Sequence, residues 1–432
     1  MGSVFLLNVV LARLGTDDYS AFLTAAAFVP LMATLATMGV PYTLVRVVRA
    51  DAANVDRRRD AVRGALALTA IGGLACAAAF WLASDFFPAD PKWGVVRAYP
   101  ELVAAWFAIS ALCMVAANYL QGIDDFRAAA LVGARNGGLI PNVLALAVVA
   151  GMAVAGSLTL GATLTVQVAA YLTALVLAVA YIRRSLRRGH DAPAAPTPAA
   201  QPQFTARWYF AESWPNLLNQ LIAVLLVEVD LLWIACLANE TTVAQYGAIR
   251  NLRLLVTAPM LVTAVALPPF VAELYSRGET AKLERLVRAS ATVLALPSIA
   301  ALLVFEFAPA LMLRMYGEEF VDSTLALQIL SIGAIVHVLS GNNGMVLTMT
   351  GRHRDLLAIS VAGLALYLAA SPPLVQRWGV TGAAAAFTIQ TVAANVAMTL
   401  RVKQTIGIWV TPLTSWAALR DETRALVRRF AR

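Results

Sequence analysis

The sequence predicts an all-α polytopic membrane protein, with about twelve transmembrane helices in two six-helix pseudo-symmetric lobes around a central cavity. Three observations carry that expectation. Of the 432 residues, 60% are hydrophobic and only 13% charged, against about 45–50% and about 25% in a soluble globular chain. Apolar runs of spanning length recur along the whole chain. Lys and Arg collect in alternate segments between those runs. An apolar excess of this size does not fit inside one water-soluble core and points to a bilayer as solvent.

A spanning helix needs roughly 20 mostly apolar residues. Reading for such runs places span 2 at Tyr19–Val45, span 3 at Gly64–Ala83 and span 4 at Leu102–Gly122. Span 5 follows at Ala128–Val154 and span 6 at Thr159–Ile182. Spans 7, 8 and 9 lie at Trp208–Ala238, Val243–Glu273 and Leu286–Phe307. The last three lie at Thr324–Thr348, Leu356–Val375 and Val380–Leu400. Span 1 is short: about 13 apolar residues precede Gly15, roughly 20 Å of helix against about 30 Å of hydrocarbon. The true start is therefore expected upstream. Met1–Leu14 lacks the charged leader and small-residue cleavage site of a signal peptide.

The charges give the orientation. The segments after spans 2, 4, 6, 8 and 10, with the tail, hold 25 Lys and Arg. The opposite loops hold few, among them Lys92, Arg97, Arg314 and Arg377, beside many acids. This alternation predicts that both termini face the cytoplasm of a bacterial cell membrane. The basic residues track sidedness, so no nucleic-acid partner is expected. Cys76, Cys113 and Cys236 each lie in an apolar run, with no disulfide or zinc spacing, and read as small buried hydrophobes. No cofactor or metal is expected.

Gly189–Gln203 is rich in Pro and Ala and reads as an extended linker. The expected organisation is a first six-helix lobe at 1–188, a linker at 189–206, a second lobe at 207–405 and a basic amphipathic tail at 406–432, lying on anionic lipid. The halves look alike. Leu11–Tyr19 after span 1 is similar to Leu237–Gly247 after span 7, and Tyr119–Gly122 at the end of span 4 to Leu347–Gly351 at the end of span 10. Repeats of six helices share one orientation, so an axis along the membrane normal relates them.

These residues also carry a resemblance. LARLGTDDYSAF (11–22), VEVDLLWIACLANETTVAQYGAIRNLRLL (227–255), LPPFVAELYSRGETAKLERLVRAS (267–290), MVLTMTGRHRDLLAISV (345–361) and QRWGVTGAAAAFTIQ (376–390) resemble, in order and spacing, segments of the Wzx-type lipid-linked oligosaccharide flippases. That family lies within the multidrug/oligosaccharidyl-lipid/polysaccharide exporter superfamily. The resemblance implies a two-lobed bundle, alternating access, and a polyprenyl-pyrophosphate glycan moved to the outer leaflet for capsule, O-antigen or exopolysaccharide assembly. It further implies polymerases or glycosyltransferases of the same pathway as partners, beside membrane lipids. The lipid II flippases of the superfamily carry an Arg-Asp pair in the first helix and an Arg early in the second. Here span 1 reads Leu6-Leu7-Asn8 and span 2 has no Arg before Arg46, which argues against that branch.

Ionisable side chains at membrane depth cost about 2.5–3.5 kcal/mol each on insertion scales and usually face a wet cavity or a partner. Glu228 and Asp230 sit mid-run in span 7, and at i and i+2 they occupy different faces. They read either as a proton or cation coupling site or as a packing pair with an Arg. Arg250 and Arg253 share one face of span 8. They read either as partners of the pyrophosphate, whose oxygens suit the guanidinium fork, or as salt-bridging or snorkelling residues. Arg135 and Asn136 in span 5 could line the cavity floor, with snorkelling to the headgroups the favoured reading. His337 in span 10, beside Asn342 and Asn343, could titrate near neutral pH, with a hydrogen-bonded packing role favoured.

Three functions are compared. The flippase needs cations for its diphosphate. A cation-coupled multidrug exporter of the same superfamily needs an acidic, aromatic cavity, and Arg250 and Arg253 oppose it. An enzyme such as a membrane glycosyltransferase needs a large outward loop with catalytic acids. The longest, Ser84–Pro100, is too short, so no enzymatic activity is expected.

Overall fold

The computed structural model describes residues 2–50, 54–133, 138–188, 204–260, 263 and 267–412. Among them every regular element is helical. Eight helices are long and apolar enough to cross a membrane, and the chain is a multi-pass membrane protein. It divides into two compact units, Gly2–Ala235 and the residues from Cys236 onward.

The first unit contains α1 (Gly2–Leu11), α2 (Thr16–Ala36), α3 (Val40–Ala50), α4 (Val55–Ala83) and the short α5 (Gly94–Ala98). It continues with α6 (Pro100–Gly122), α7 (Phe126–Val132), α8 (Leu139–Val154), α9 (Leu160–Arg188) and α10 (Ala206–Leu237). Local chemistry sets several starts. Asp17 and Asp18 lie in the first turn of α2, where the helix dipole favours anions. Asn54 caps α4 by accepting from the Arg57 N–H, and Asp125 caps α7 through the Ala128 N–H. Pro100 opens α6 where no N–H is needed. α6 is the central helix, packed on α2, α3, α4 and α9. α4 and α9 turn apolar residues such as Leu74, Leu82, Leu172 and Val176 outward, as lipid-facing helices do.

Span 2 is broken where the sequence predicts one run. Its helix ends at Thr37, passes through Met38 (φ 51°) and Gly39 (φ 77°), and restarts as α3. Pro41 is the reason: it lacks the N–H that would bond back to Thr37, and its ring opposes a continuous helix there. The break lies against the start of α10. Ser213 Oγ donates to Thr43 Oγ1 at 2.8 Å, and Asn216 Nδ2 donates to the same atom at 3.3 Å. Arg46 pairs with Glu212, and the Arg57 guanidinium lies 4.6 Å from the Phe204 ring centroid. Phe204 and Tyr209 complete an apolar core with Val48, Val62, Tyr119 and Ile182. The first helix after the Pro/Ala-rich segment thus packs with the helices that precede that segment.

The second unit contains α11 (Glu240–Thr257), α12 (Pro268–Ser276), α13 (Thr280–Phe307), α14 (Pro309–Arg314), α15 (Thr324–Leu339), α16 (Asn343–Met349) and α17 (His353–Ile406). Asn239 caps α11 through the Thr242 N–H. Span 10, predicted as one run, is divided. In span 8, α11 ends at Thr257, and Pro268 and Pro269 open α12. Span 10 parts between α15 and α16 at the poor helix formers Gly341, Asn342 and Asn343.

Spans 11 and 12, predicted as separate, are two helices, both within the range given as α17, that meet at a reversal at Gly379 (φ 54°, ψ −128°). A glycine takes that conformation without a Cβ clash. The reversal is visible in the pairing: Gly382 faces the Leu374 carbonyl, and Gly363 faces Gln390 and Ala394. At the far end Arg401 pairs with Asp355 at 2.9 Å, and Arg352 Nη2 donates to the Thr405 carbonyl at 3.4 Å. All these contacts share one antiparallel register. Asp355→Asn is expected to speed amide exchange over residues 352–356 and 401–406 and to leave the outer turn unchanged, as read by hydrogen–deuterium exchange.

One composition reading is corrected. Cys113 is buried, but Cys76 is half-buried and Cys236 exposed. In lipid an apolar run need not be a buried one, because the hydrocarbon outside is as apolar as the core.

Candidate substrate and coupling site

Arg253 and His337 both belong to the second unit, on α11 and α15. α11 packs on α13, α15 and α17. At 1.5 Å per residue, Arg250 and Arg253 lie about 15 Å and about 20 Å along α11 from Glu240, well within about 30 Å of hydrocarbon. Both are half-buried. The Arg253 guanidinium stacks over Phe387 of α17, 4.2 Å from the ring centroid, and cation–π attraction holds it there. Its charge reaches His337 of α15.

His337 is bound in turn. Its Nδ1 lies 2.9 Å from Asn395 Oδ1, while Asn395 Nδ2 donates to the Thr391 carbonyl at 2.8 Å. With the amide N–H engaged, Oδ1 is the acceptor and the His337 Nδ1 carries the proton. Asn343 Nδ2 donates to the Asn395 carbonyl and to Thr399 Oγ1, both at 3.2 Å. Asn342 Nδ2 donates to Thr263 Oγ1 at 2.8 Å. The break between α15 and α16 is therefore fastened by its own two asparagines. The result is a polar strip along α17: a cation held on the Phe387 ring, and a chain of neutral donors and acceptors from Asn395 to Thr399, which begins about 12 Å farther along the helix. Such a set suits an anion with several oxygens. Asn395→Leu removes the acceptor from His337 Nδ1–H and is expected to cost about 1–3 kcal/mol, measurable as a lowered unfolding midpoint in detergent.

Asp230 and Glu228 belong to α10 in the first unit. Asp230 is only 2% exposed, and its Oδ1 accepts the Leu231 N–H at 2.7 Å. Glu228 is half-buried. Arg135 and Asn136 lie outside the described residues, as do residues 189–203 of the linker and 413–432 of the tail.

Sequence reading passed over Phe387, Asn395 and Thr399. Thr391, Asn395 and Thr399 recur every four residues, a polar stripe on one face of an otherwise apolar helix, and that signal was available. Glu306 was also passed over. Near the end of α13 its Oε1 accepts from Ser331 Oγ at 3.0 Å, and its carbonyl accepts from Gln328 Nε2 at 3.0 Å.

The family described as "Polysaccharide biosynthesis protein" matches residues 2–274. No curated protein sequence matches the chain. Among solved structures, an inward-facing multidrug resistance MATE family transporter of the MOP superfamily is similar with a TM-score of 0.74 and 15% identity, over 94% of each chain. The lipid II flippase MurJ, inward closed, is similar with a TM-score of 0.68 and 9% identity, over 93% of this chain and 85% of that one. A MOP superfamily transporter from Pyrococcus furiosus, described as having a binding pocket of reverse polarity, gives 0.62 and 15%, over 94% and 91%. At such identities these likenesses establish the fold, which is that of the MOP superfamily.

Proposed function

The chain belongs to the polysaccharide biosynthesis protein family, and from that premise we propose that it is a flippase for a polyprenyl-pyrophosphate-linked oligosaccharide. It resides in the bacterial cell membrane with both termini cytoplasmic, and it moves its cargo outward by alternating access rather than by chemical turnover. The observation that carries this reading is the polar strip on one helix where Arg253 stacks on Phe387 and His337 is bound to Asn395. A diphosphate crossing the bilayer loses its hydration, at a cost no apolar lining offsets. Arg253 offers a planar fork of donors, and Arg250 shares its face three residues away. The neutral amides and hydroxyls beside them suit sugar hydroxyls. Glu228 and Asp230 are the candidates for coupling to an ion gradient. The partners in this reading are the enzymes that build the glycan-lipid and those that polymerise it outside.

The cation-coupled multidrug exporter is the alternative, favoured by the likeness to the MATE fold. Depletion in the native host separates the two. Mass spectrometry of polyprenyl-linked sugars is expected to find one glycan-lipid accumulating on the cytoplasmic side. Unchanged glycan-lipids together with new sensitivity to cationic drugs overturn the flippase reading.

A further inference from the structure

The outer side of α9, in the first unit, carries a groove that the transport reading does not use. Ala174, Ala178, Ile182 and Leu186 recur every four residues along this helix and are all buried. Ala178, Ile182 and Leu186 belong to the same apolar core as Tyr119 and Tyr209. Ser185 Oγ lies 3.2 Å from the Tyr119 hydroxyl and donates to the Ile182 carbonyl at 2.8 Å. These contacts fix the rotation of the helix and leave its other side turned away from the core.

On that other side lies a groove of about 690 Å³, inside the range of about 300–1,000 Å³ that small-molecule sites occupy. Leu175, Val176, Val179 and Ala180 line one stretch of it, and Arg183, Arg184 and Arg187 line the next. The three arginines are exposed. Among the described residues none of them has an ion pair, whereas Arg46, Arg49 and Arg59 of the same unit pair with Glu212, Asp124 and Asp56. At 1.5 Å per residue, the apolar stretch begins about 12 Å below Arg183, and the arginines span about 6 Å more. One leaflet offers about 15 Å of hydrocarbon, half of about 30 Å. The groove therefore fits within one leaflet, with its apolar stretch at the depth of acyl chains and its guanidinium groups at the level of phosphates. The alternation of charge along the chain makes that leaflet the cytoplasmic one, which is the leaflet rich in anionic lipid.

We propose that this groove is a binding site for an anionic phospholipid of the cytoplasmic leaflet. Its phosphate is held by Arg183, Arg184 and Arg187, whose planar forks of donors match phosphate oxygens. Its upper acyl chain lies on Leu175, Val176, Val179 and Ala180, a stretch that a free phosphate would leave empty. No Asn, Gln, Ser or Thr is among the described lining residues, so the groove offers a glycan nothing but cations, and a simple phospholipid fits it better than a glycan-lipid. The site is independent of the transport reading above.

The test is native mass spectrometry of the full-length protein, delipidated in detergent and titrated with phosphatidylglycerol or with zwitterionic phosphatidylethanolamine. Wild type is expected to take up one phosphatidylglycerol with a preference on the order of 100-fold, from three arginines at about 1 kcal/mol each and about 1.4 kcal/mol per tenfold. Arg183→Ala, Arg184→Ala and Arg187→Ala combined are expected to abolish that preference. Arg63→Ala, Arg127→Ala and Arg207→Ala combined remove the same charge from three exposed arginines outside the groove and are expected to keep it. Ala180→Trp fills the groove and is expected to lower phosphatidylglycerol uptake with every arginine in place. All these positions are exposed, and thermal unfolding in detergent is expected to give the wild-type midpoint for each variant. Equal loss in the two triple variants overturns the proposal, because the attraction is then one of net charge and not of a groove. Undiminished preference in the groove triple variant overturns it as well. An adduct with the mass of a polyprenyl-linked glycan, held by wild type and lost from the groove variants, overturns the phospholipid assignment and gives the groove to the cargo.

Discussion

Arg253→Ala is expected to slow glycan-lipid translocation by about 10- to 100-fold while leaving a folded protein. The range follows from the loss of one charge-assisted contact of about 1.5–3 kcal/mol at about 1.4 kcal/mol per tenfold. Arg253 sits some 13 residues into α11, against Phe387, so its removal leaves the polar strip without its stacked cation. Arg253→Lys separates charge from shape. Lys keeps the charge but lacks the planar fork and stacks less well on a ring, so its activity should fall between the two. The measurement is inward-to-outward movement of glycan-lipid in proteoliposomes, with thermal unfolding as the control for folding. A purely structural Arg253 gives a lowered midpoint in the alanine variant and a translocation loss no larger than the loss of folded protein.

Gly39→Val is expected to destabilise the first unit by about 2–6 kcal/mol, enough to remove the monodisperse peak in detergent size-exclusion chromatography. Two costs add. The residue has φ 77°, which costs a β-branched side chain about 1–3 kcal/mol. A Cβ at this position would also overlap the Ser213 carbonyl and the Leu217 amide of α10, and overpacking against backbone costs about another 1–3 kcal/mol. Backbone cannot rotate aside as a long side chain can. Ser213→Ala should have a milder effect, since it removes one hydrogen bond to Thr43 without forcing α10 away. Equal stability of Gly39→Val and wild type would mean that the start of α10 is not seated on the break between α2 and α3.

The sequence made the mid-membrane ions visible because a charged residue in an apolar run stands out without any knowledge of its neighbours. Arg250, Arg253, Asp230, Glu228 and His337 were all found in that way. Phe387 was not, because an aromatic residue in a spanning helix is unremarkable until a guanidinium lies over it. Asn395 was legible only in retrospect, through its stripe with Thr391 and Thr399. Glu306 was missed because it stands near the end of its run, where a carboxylate reads as an interface residue.

The sequence by itself determined the fold class and the alternation of charge. Insertion into a bilayer is decided segment by segment, by the apolar length of each run and the basic residues flanking it, and both are additive along the chain. Only the tertiary structure decided where spans 2 and 10 break, that spans 11 and 12 turn at Gly379, and that Arg253 stacks on Phe387 of the helix whose Asn395 holds His337. Those features depend on how each helix is rotated about its own axis. In lipid the hydropathy pattern fixes that rotation weakly, because the outer face of a helix is as apolar as the face it packs.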